Sequence, residues 1–179
     1  MSEKEKILLH ACCAICSGYP IQLLREMGYE PIVYFCNPNI DSKEEFERRL
    51  EAQKKLCKYF NVELIVEDYN PDLYLEYVLG LENEPERGLR CEKCIELRFI
   101  ETVKKADELG INKFTSSLPI SPHKNFKKIS ELGLNISEKF LPIDFKKKDG
   151  FLKTNKISKE LNLYRQNYCG CVFAKDSKK

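Results

Sequence analysis

The stretch KILLHACCAICSGYPIQLLREMGYEPIVYFCNPN, residues 6–39, decides the fold. Residues 6–11 are a short apolar run of the kind that makes a buried strand. Residues 18–27 place apolar side chains at helical spacing, and Gly28 follows as a C-cap. Residues 31–36 form a second strand, which stops at the turn Asn37-Pro38-Asn39. Strand, loop, helix and strand in this order are the start of a parallel sheet.

Outward from this unit the alternation continues. Asp41 reads as a helix N-cap with Glu44 three residues on. The helix it opens carries Phe46, Leu50, Cys57 and Phe60 on one face. Residues 62–66 are a third strand, and residues 71–80 a helix. Residues 82–90 are polar, contain Pro85 and Gly88, and read as a loop. Cys91 is expected to open a long helix with Ile95, Phe99, Val103 and Ala106 on one face, ending at Gly110. Residues 113–117 read as a fourth strand, residues 122–132 as a helix closed by Gly133, and residues 139–143 as a short fifth strand. Residues 156–161 supply a last helical turn or two before the tail 164–173. The expected fold is α/β: a single domain over residues 1–179, with a mostly parallel, Rossmann-like sheet flanked by helices. In such sheets ligands bind beyond the carboxyl ends of the strands. The loop after the first strand, with Cys12, Cys13 and Cys16, lies there.

The 179 residues are 42% hydrophobic and 32% charged, a globular composition. No apolar run approaches the roughly 18 residues of a membrane span. Lys4 and Lys6 precede a short apolar stretch, but Glu3 and Glu5 dilute that charge and His10 with three cysteines interrupts the run. A cleaved signal is therefore not expected, and the expected location is the cytoplasm. Charge is uneven. Residues 1–112 carry 15 basic and 22 acidic residues, and residues 113–179 carry 15 and 6. The basic C-terminal third suits a polyanion such as nucleic acid, or is a solvated lysine-rich surface.

Nine cysteines is many for a chain of this length, and an odd number in a reducing compartment argues against structural disulfides. Isolated ones, such as Cys57 on an apolar helix face and Cys36 at a strand end, read as small buried hydrophobes. Three groups resist that reading. Cys91 and Cys94 form CxxC at a helix start, where the helix dipole favours thiolate and Arg90 adds a positive neighbour. That motif alone fits zinc, an iron–sulfur cluster, a dithiol or chance. Cys12-Cys13 at a strand-to-helix turn can both face one site, and Cys16 extends them to CCxxC. Cys169-Gly170-Cys171 is the third group. Gly170 lets the chain fold tightly enough for a strained, easily reduced disulfide, suited to electron delivery; metal ligation and inert thiols are the other readings. His10 and His123 read as structural.

The segments LLHACCAIC, FCNPNI, RCEKCIELR, FTSSLPISPHKN and YRQNYCGC, in this order from Leu8 to Cys171, together resemble the epoxyqueuosine reductases of the QueH type. The resemblance implies an oxidoreductase that converts epoxyqueuosine in tRNA to queuosine, the last step of queuosine biosynthesis. It implies an iron–sulfur, [4Fe-4S] enzyme that needs no cobalamin. By motif, Cys12, Cys13, Cys91 and Cys94 match the cluster ligands, and Cys169 and Cys171 match a redox-active pair. Ile15, where the family more often has proline, and Cys36, where an aromatic is commoner, depart from the pattern without removing a ligand.

Opening an epoxide to an alkene consumes two electrons and two protons and releases water. A single cluster passes one electron at a time, so a second store is needed. Either Cys169 and Cys171 cycle between dithiol and disulfide, or a second iron sits near Cys16, Cys169 and Cys171 as a Lewis acid. Proton donors by type are Asp144, His123, Tyr164 and Tyr168. Residues 146–148, Lys153, Lys156 and Arg165 are candidates for tRNA phosphates, and Tyr164 and Tyr168 for an aromatic platform. The electron donor is a partner the sequence does not identify, and Cys16 competes with Cys12 and Cys13 as a ligand. The alternatives are a four-cysteine zinc module, a metal-free thiol-disulfide oxidoreductase acting with tRNA, and an ATP-using tRNA-modifying enzyme. The absence of a GxxxxGK[ST] loop argues against the last.

Overall fold

The computed structural model describes residues 3–176. Four parallel strands form one sheet: β1 (Lys6–His10), β2 (Glu30–Phe35), β3 (Glu63–Val66) and β4 (Phe114–Ser116), in the order β3-β2-β1-β4. Between and after them run α1 (Gly18–Glu26), α2 (Lys43–Phe60), α3 (Pro71–Tyr77), α4 (Leu89–Glu108), α5 (Phe126–Ile136), α6 (Gly150–Glu160) and α7 (Val172–Asp176).

The central strand β1 shows why the sheet is covered on both sides. Successive side chains point to opposite faces, and both sets are apolar. Ile7 and Leu9 pack into a core with Ile21, Leu24, Val33, Leu56 and Phe145. Leu8 packs into the other with Ile32, Tyr34, Ile95, Phe99, Phe114 and Phe140. Ile7, Leu8 and Leu9 are fully buried, each contributing about 1.5–3 kcal/mol of hydrophobic free energy. Helices α1, α2 and α6 thus cover one face, and α4 and α5 the other.

β1 pairs with β2 on one side and with β4 on the other. The chain moves outward through β2 to β3, then returns to the opposite flank of β1. The loops leaving β1 and β4 therefore part company, and a cleft opens at the carboxyl end of the sheet between them.

The fold is the expected α/β class, with local differences. The α2 cap is Ser42, whose side chain accepts from Glu45 N at 3.2 Å; Asp41 instead accepts from the Tyr168 hydroxyl at 2.7 Å. Helix α4 starts at Leu89, because Gly88 is the extended N-cap. The helix expected over 122–132 runs later, from its cap Asn125, and Gly133 lies inside it. A Cβ there would sit 2.4 Å from the Phe140 ring, so the glycine serves close packing instead of helix termination. The fifth strand reduces to one parallel bridge, Phe114 to Phe140. α6 begins well before residue 156, at Gly150, and the tail gains the short α7. No helix is long and apolar enough to cross a membrane among the described residues.

Candidate functional site

The residues that leave β1 make the floor of the site. Cys13 is extended (φ −163°, ψ 154°), and residues Ala14–Cys16 then turn as one 3-10 turn. The turn brings the sulfurs of Cys12, Cys13 and Cys16 within 4.8 Å of one another. Among the described residues this is the one group of three cysteines, histidines or carboxylates so closely spaced with the geometry to hold a metal ion. Cys12 and Cys13 share a hydrogen bond at 3.6 Å. Hydrogen bonds from Cys13 and Cys16 pull Cys12 well below the usual thiol pKa, helped by Arg98. The hydrogen bond with Cys12, and then burial, raise Cys13 to about 12, against a lowering hydrogen bond from Cys16. Of the three sulfurs, Cys12 is thus the one drawn toward thiolate.

These three cysteines line a cavity of about 560 Å³ together with Cys91, Cys169 and Cys171. Cys91 lies in the first turn of α4, where the backbone N–H of Arg87 points at its sulfur at 3.2 Å. Cys94 is not at the cavity wall. It is 6% exposed and packs beneath it with Cys171, Tyr74 and Leu97. Burial raises its thiol pKa to about 11, partly offset by Arg98. Cys91 and Cys94 do not join the close group of Cys12, Cys13 and Cys16 at the same spacing. Cys169 is exposed and Cys171 buried, and all nine cysteines are free thiols. Cys169 and Cys171, expected to form a redox-active pair, are not joined by a disulfide.

Arg49 fixes the segment that carries this pair. Its guanidinium donates to the carbonyls of Tyr168 at 3.1 Å and Cys169 at 3.0 Å, while Nε donates to the buried Glu45 at 2.8 Å. Gly170 takes φ +112°, and a Cβ there would meet the Arg49 guanidinium at 2.9 Å. The Asp41 N–H donates to the Gly170 carbonyl at 2.8 Å.

Several residues sort differently from the sequence expectations. Arg90, expected beside the CxxC thiols, does line the cavity with Cys91, but its Nη1 donates to the carbonyls of Leu81, Glu82 and Glu84 and its guanidinium stacks over Phe173. A further buried cation at the cavity wall is Arg98, absent from the sequence expectations. Burial opposes its charge, but Cys94, Cys12, Cys169 and Cys36 outweigh that and hold its pKa above the ordinary arginine value. Its spacing four residues after Cys94, one helical turn on, is the signal that could have found it.

His10 is fully buried, donating from Nε2 to Cys36 O at 3.1 Å and bonded at Nδ1 to Ser116 Oγ. Burial and then Arg98 lower its pKa to about 4, so it is neutral and structural. His123 and Tyr168 line the cavity; Asp144 and Tyr164 are not among the lining residues. Asp144 accepts from Lys146 N, and the Tyr164 hydroxyl donates to Glu45. The hydroxyls of Tyr164 and Tyr168 are thus committed to carboxylates, and the exposed aromatic at the cavity wall is Phe151.

Asn37 and Asn39, buried in the turn after β2, also line the cavity. Their side-chain carbonyls are buried without a hydrogen-bond partner among the described residues. Arg165 lines the cysteine cavity and also an adjoining groove with Lys156 and Lys159, and is held there by Asn155 and Ser158.

The donor set fits an iron–sulfur group. Thiolates are its ligands, and a buried guanidinium near them suits an anionic centre. The unpaired asparagine carbonyls mark the same cavity as a place where a ligand with hydrogen-bond donors fits.

A family model described as "Epoxyqueuosine reductase QueH" matches residues 7–177. A Streptococcus pyogenes protein of that name is 41% identical over 183 residues, covering 97% of this chain and 71% of its own length. The Thermotoga maritima protein of that name is 33% identical over 175 residues, covering 94% and 89%. Among solved structures, the U34-tRNA thiolase NcsA from Methanococcus maripaludis with its [4Fe-4S] cluster aligns with TM-score 0.61 and 16% identity, over 98% of this chain and 64% of that one. An NMN synthetase from Francisella tularensis aligns with TM-score 0.57 and 13% identity, over 93% and 68%. At such identities the structural likeness concerns the fold.

Proposed function

The chain belongs to the QueH family of epoxyqueuosine reductases, and from that premise we propose that it reduces epoxyqueuosine in tRNA to queuosine at an iron–sulfur cluster held by Cys12, Cys13, Cys91 and Cys94. The observation that carries this reading is the cavity at the sheet's carboxyl end, faced by sulfurs from three remote segments. The relatives named above are reductases, which leaves the zinc and metal-free readings without support among them. Cys16, within 4.8 Å of Cys12 and Cys13, is the competing ligand.

The bound cluster supplies electrons singly. The chain's own contribution is a matched pair of thiols. Oxidising Cys169 and Cys171 to a disulfide releases two electrons and two protons. Deoxygenating an epoxide to an alkene takes up two electrons and two protons and releases water, so the two half-reactions balance. The Arg49 fork and the left-handed Gly170 hold this pair at the cavity wall. An external electron donor returns the disulfide to dithiol. Iron bound by Cys16, Cys169 and Cys171 is the rival use of these sulfurs.

Asn37 and Asn39 offer two buried carbonyls to the hydroxyl and N–H donors of the modified nucleoside. Arg165 carries the path from the cavity to the groove of Lys156 and Lys159, where phosphates of the flanking strand dock. Phe151 provides a stacking face for an unpaired loop base.

The test is anaerobic purification with iron and sulfide analysis, followed by nucleoside mass spectrometry of epoxyqueuosine tRNA incubated with the protein and dithionite. Queuosine is the expected product, and a colourless zinc protein without turnover is the contrary result. Loss of turnover with an intact cluster in Cys169→Ser and Cys171→Ser variants is expected of the dithiol. More than four irons per active parent chain, lost in those variants, points to the second iron instead.

A further inference from the structure

Arg98 is 3% exposed and lines the cysteine cavity from the α4 side. Two other buried arginines line the same cavity: Arg49 has the Glu45 carboxylate at 2.8 Å, and Arg90 is held by three backbone carbonyls and the Phe173 ring. Among the described residues, Arg98 has no carboxylate at ion-pair distance. Its Nε donates to the Cys94 carbonyl at 3.3 Å, and it shares the cavity wall with Cys12 and Cys169.

A guanidinium removed from water needs an anion. Without one, its desolvation costs several kcal/mol, which a single carbonyl contact does not offset. Thiols supply that anion only as thiolates: Cys12 is drawn toward that form, while burial keeps Cys94 and Cys36 protonated without metal. Thiols bound to iron are held as thiolates, and a cluster with a full set of them is a net anion whose negative charge grows on reduction. A fixed cation in a water-poor wall stabilises the reduced form more than the oxidised one.

We propose that Arg98 is the built-in counter-cation of the iron–sulfur site, a positioning residue that makes the cluster easier to reduce. The proposal rests on the ligand reading above and adds to it a residue that is not a ligand. Arg98 touches neither substrate nor leaving oxygen in this role. It sets the potential at which electrons enter.

The experiment is a redox titration, followed by electron paramagnetic resonance, of anaerobically loaded parent, Arg98→Met and Arg98→Lys proteins. Arg98→Met keeps the apolar stem without the charge. It is expected to be at least tenfold harder to reduce, a midpoint about 59 mV more negative for one electron, with Arg98→Lys in between. A loaded Arg98→Met protein that titrates with the parent overturns the proposal. If Arg98→Met folds but loads no cluster, Arg98→Lys decides. Loading near the parent potential supports the cation, whereas a second failure assigns Arg98 to shape and overturns it.

Metal-free melting is the companion measurement. Metal-free Arg98→Met is expected to melt at or above the metal-free parent, having lost an uncompensated buried charge. Unfolding of that variant, with the parent folded, means that the protein already balances the guanidinium, and it overturns the proposal. A parent chain that takes up no cluster defeats the ligand reading itself, which separates the two failures.

Discussion

The Arg49 guanidinium reaches across the molecule to the carbonyl of Cys169, donating at 3.0 Å from the middle of α2. Glu45 and the Tyr168 carbonyl hold the same guanidinium. Replacing Arg49 by Met leaves the buried Glu45 with the Tyr164 hydroxyl and a 3.8 Å contact to Arg48 and frees the Cys169 segment. The expected cost is about 3 kcal/mol, because one partner of a buried pair is removed. Urea unfolding checks the energy. Native-state alkylation followed by mass spectrometry checks the segment, with Cys171 reacting faster in the variant.

Gly133 tests whether packing overrides helix propensity. Gly to Ala inside a helix is worth about 1 kcal/mol of stabilisation. A Cβ at this position lies 2.4 Å from the buried Phe140 ring, and overpacking of a core costs about 1–3 kcal/mol. Gly133→Ala is therefore expected to lower the thermal midpoint despite the better helix former. An unchanged or raised midpoint in calorimetry counts against the packing.

Asn39 carries a buried carbonyl with no partner among the described residues. Asn39→Leu removes the unpaired group at little change in volume. Chemical denaturation is expected to show stability within about 1 kcal/mol of the parent. Affinity for epoxyqueuosine tRNA is expected to fall about tenfold, roughly 1.4 kcal/mol, with affinity for the same tRNA carrying guanosine unchanged. Filter binding with the two tRNAs separates these outcomes.

The groove beside Arg165 is expected to act through charge alone. Lys156→Glu with Lys159→Glu should weaken tRNA binding and flatten its dependence on salt by about one unit of slope per lost phosphate contact. Titrations over a range of salt measure the slope. An unchanged slope places the RNA elsewhere.

Removing iron with a chelator should expose the site without unfolding the protein. Cys12, Cys13 and Cys91 are expected to resist alkylation in the loaded protein and to react after chelation. Cys57, buried against Leu56 in the sheet core, stays unreactive in both states. Peptide mapping reads each cysteine separately.

The strands were legible because β1 and β2 are continuous apolar runs, which a sheet buried on both faces requires. Helix boundaries were read less well where tertiary contact decides them. Gly133 looks like a terminator until the Phe140 ring is seen against it, and Asp41 looks like a cap until Tyr168 claims it. Of the site, the cysteines stood out by their spacing. Arg98, Arg49 and Asn39 did not, because a charge or amide in sequence carries no mark of burial. Tyr164 and Tyr168 were proton-donor candidates by type, but their hydroxyls donate to Glu45 and Asp41.

The strand order β3-β2-β1-β4 sends consecutive segments to opposite flanks before the tail crosses back to Asp41. If iron binds as proposed, no single stretch of the chain carries the whole grip on it, because β2 and β3 lie in sequence between Cys13 and Cys91. Cofactor uptake would then double as quality control, because misassembled copies would stay pale. It also puts the moment of greatest danger from oxygen before maturation, when nine unguarded thiols wait for the sheet to close.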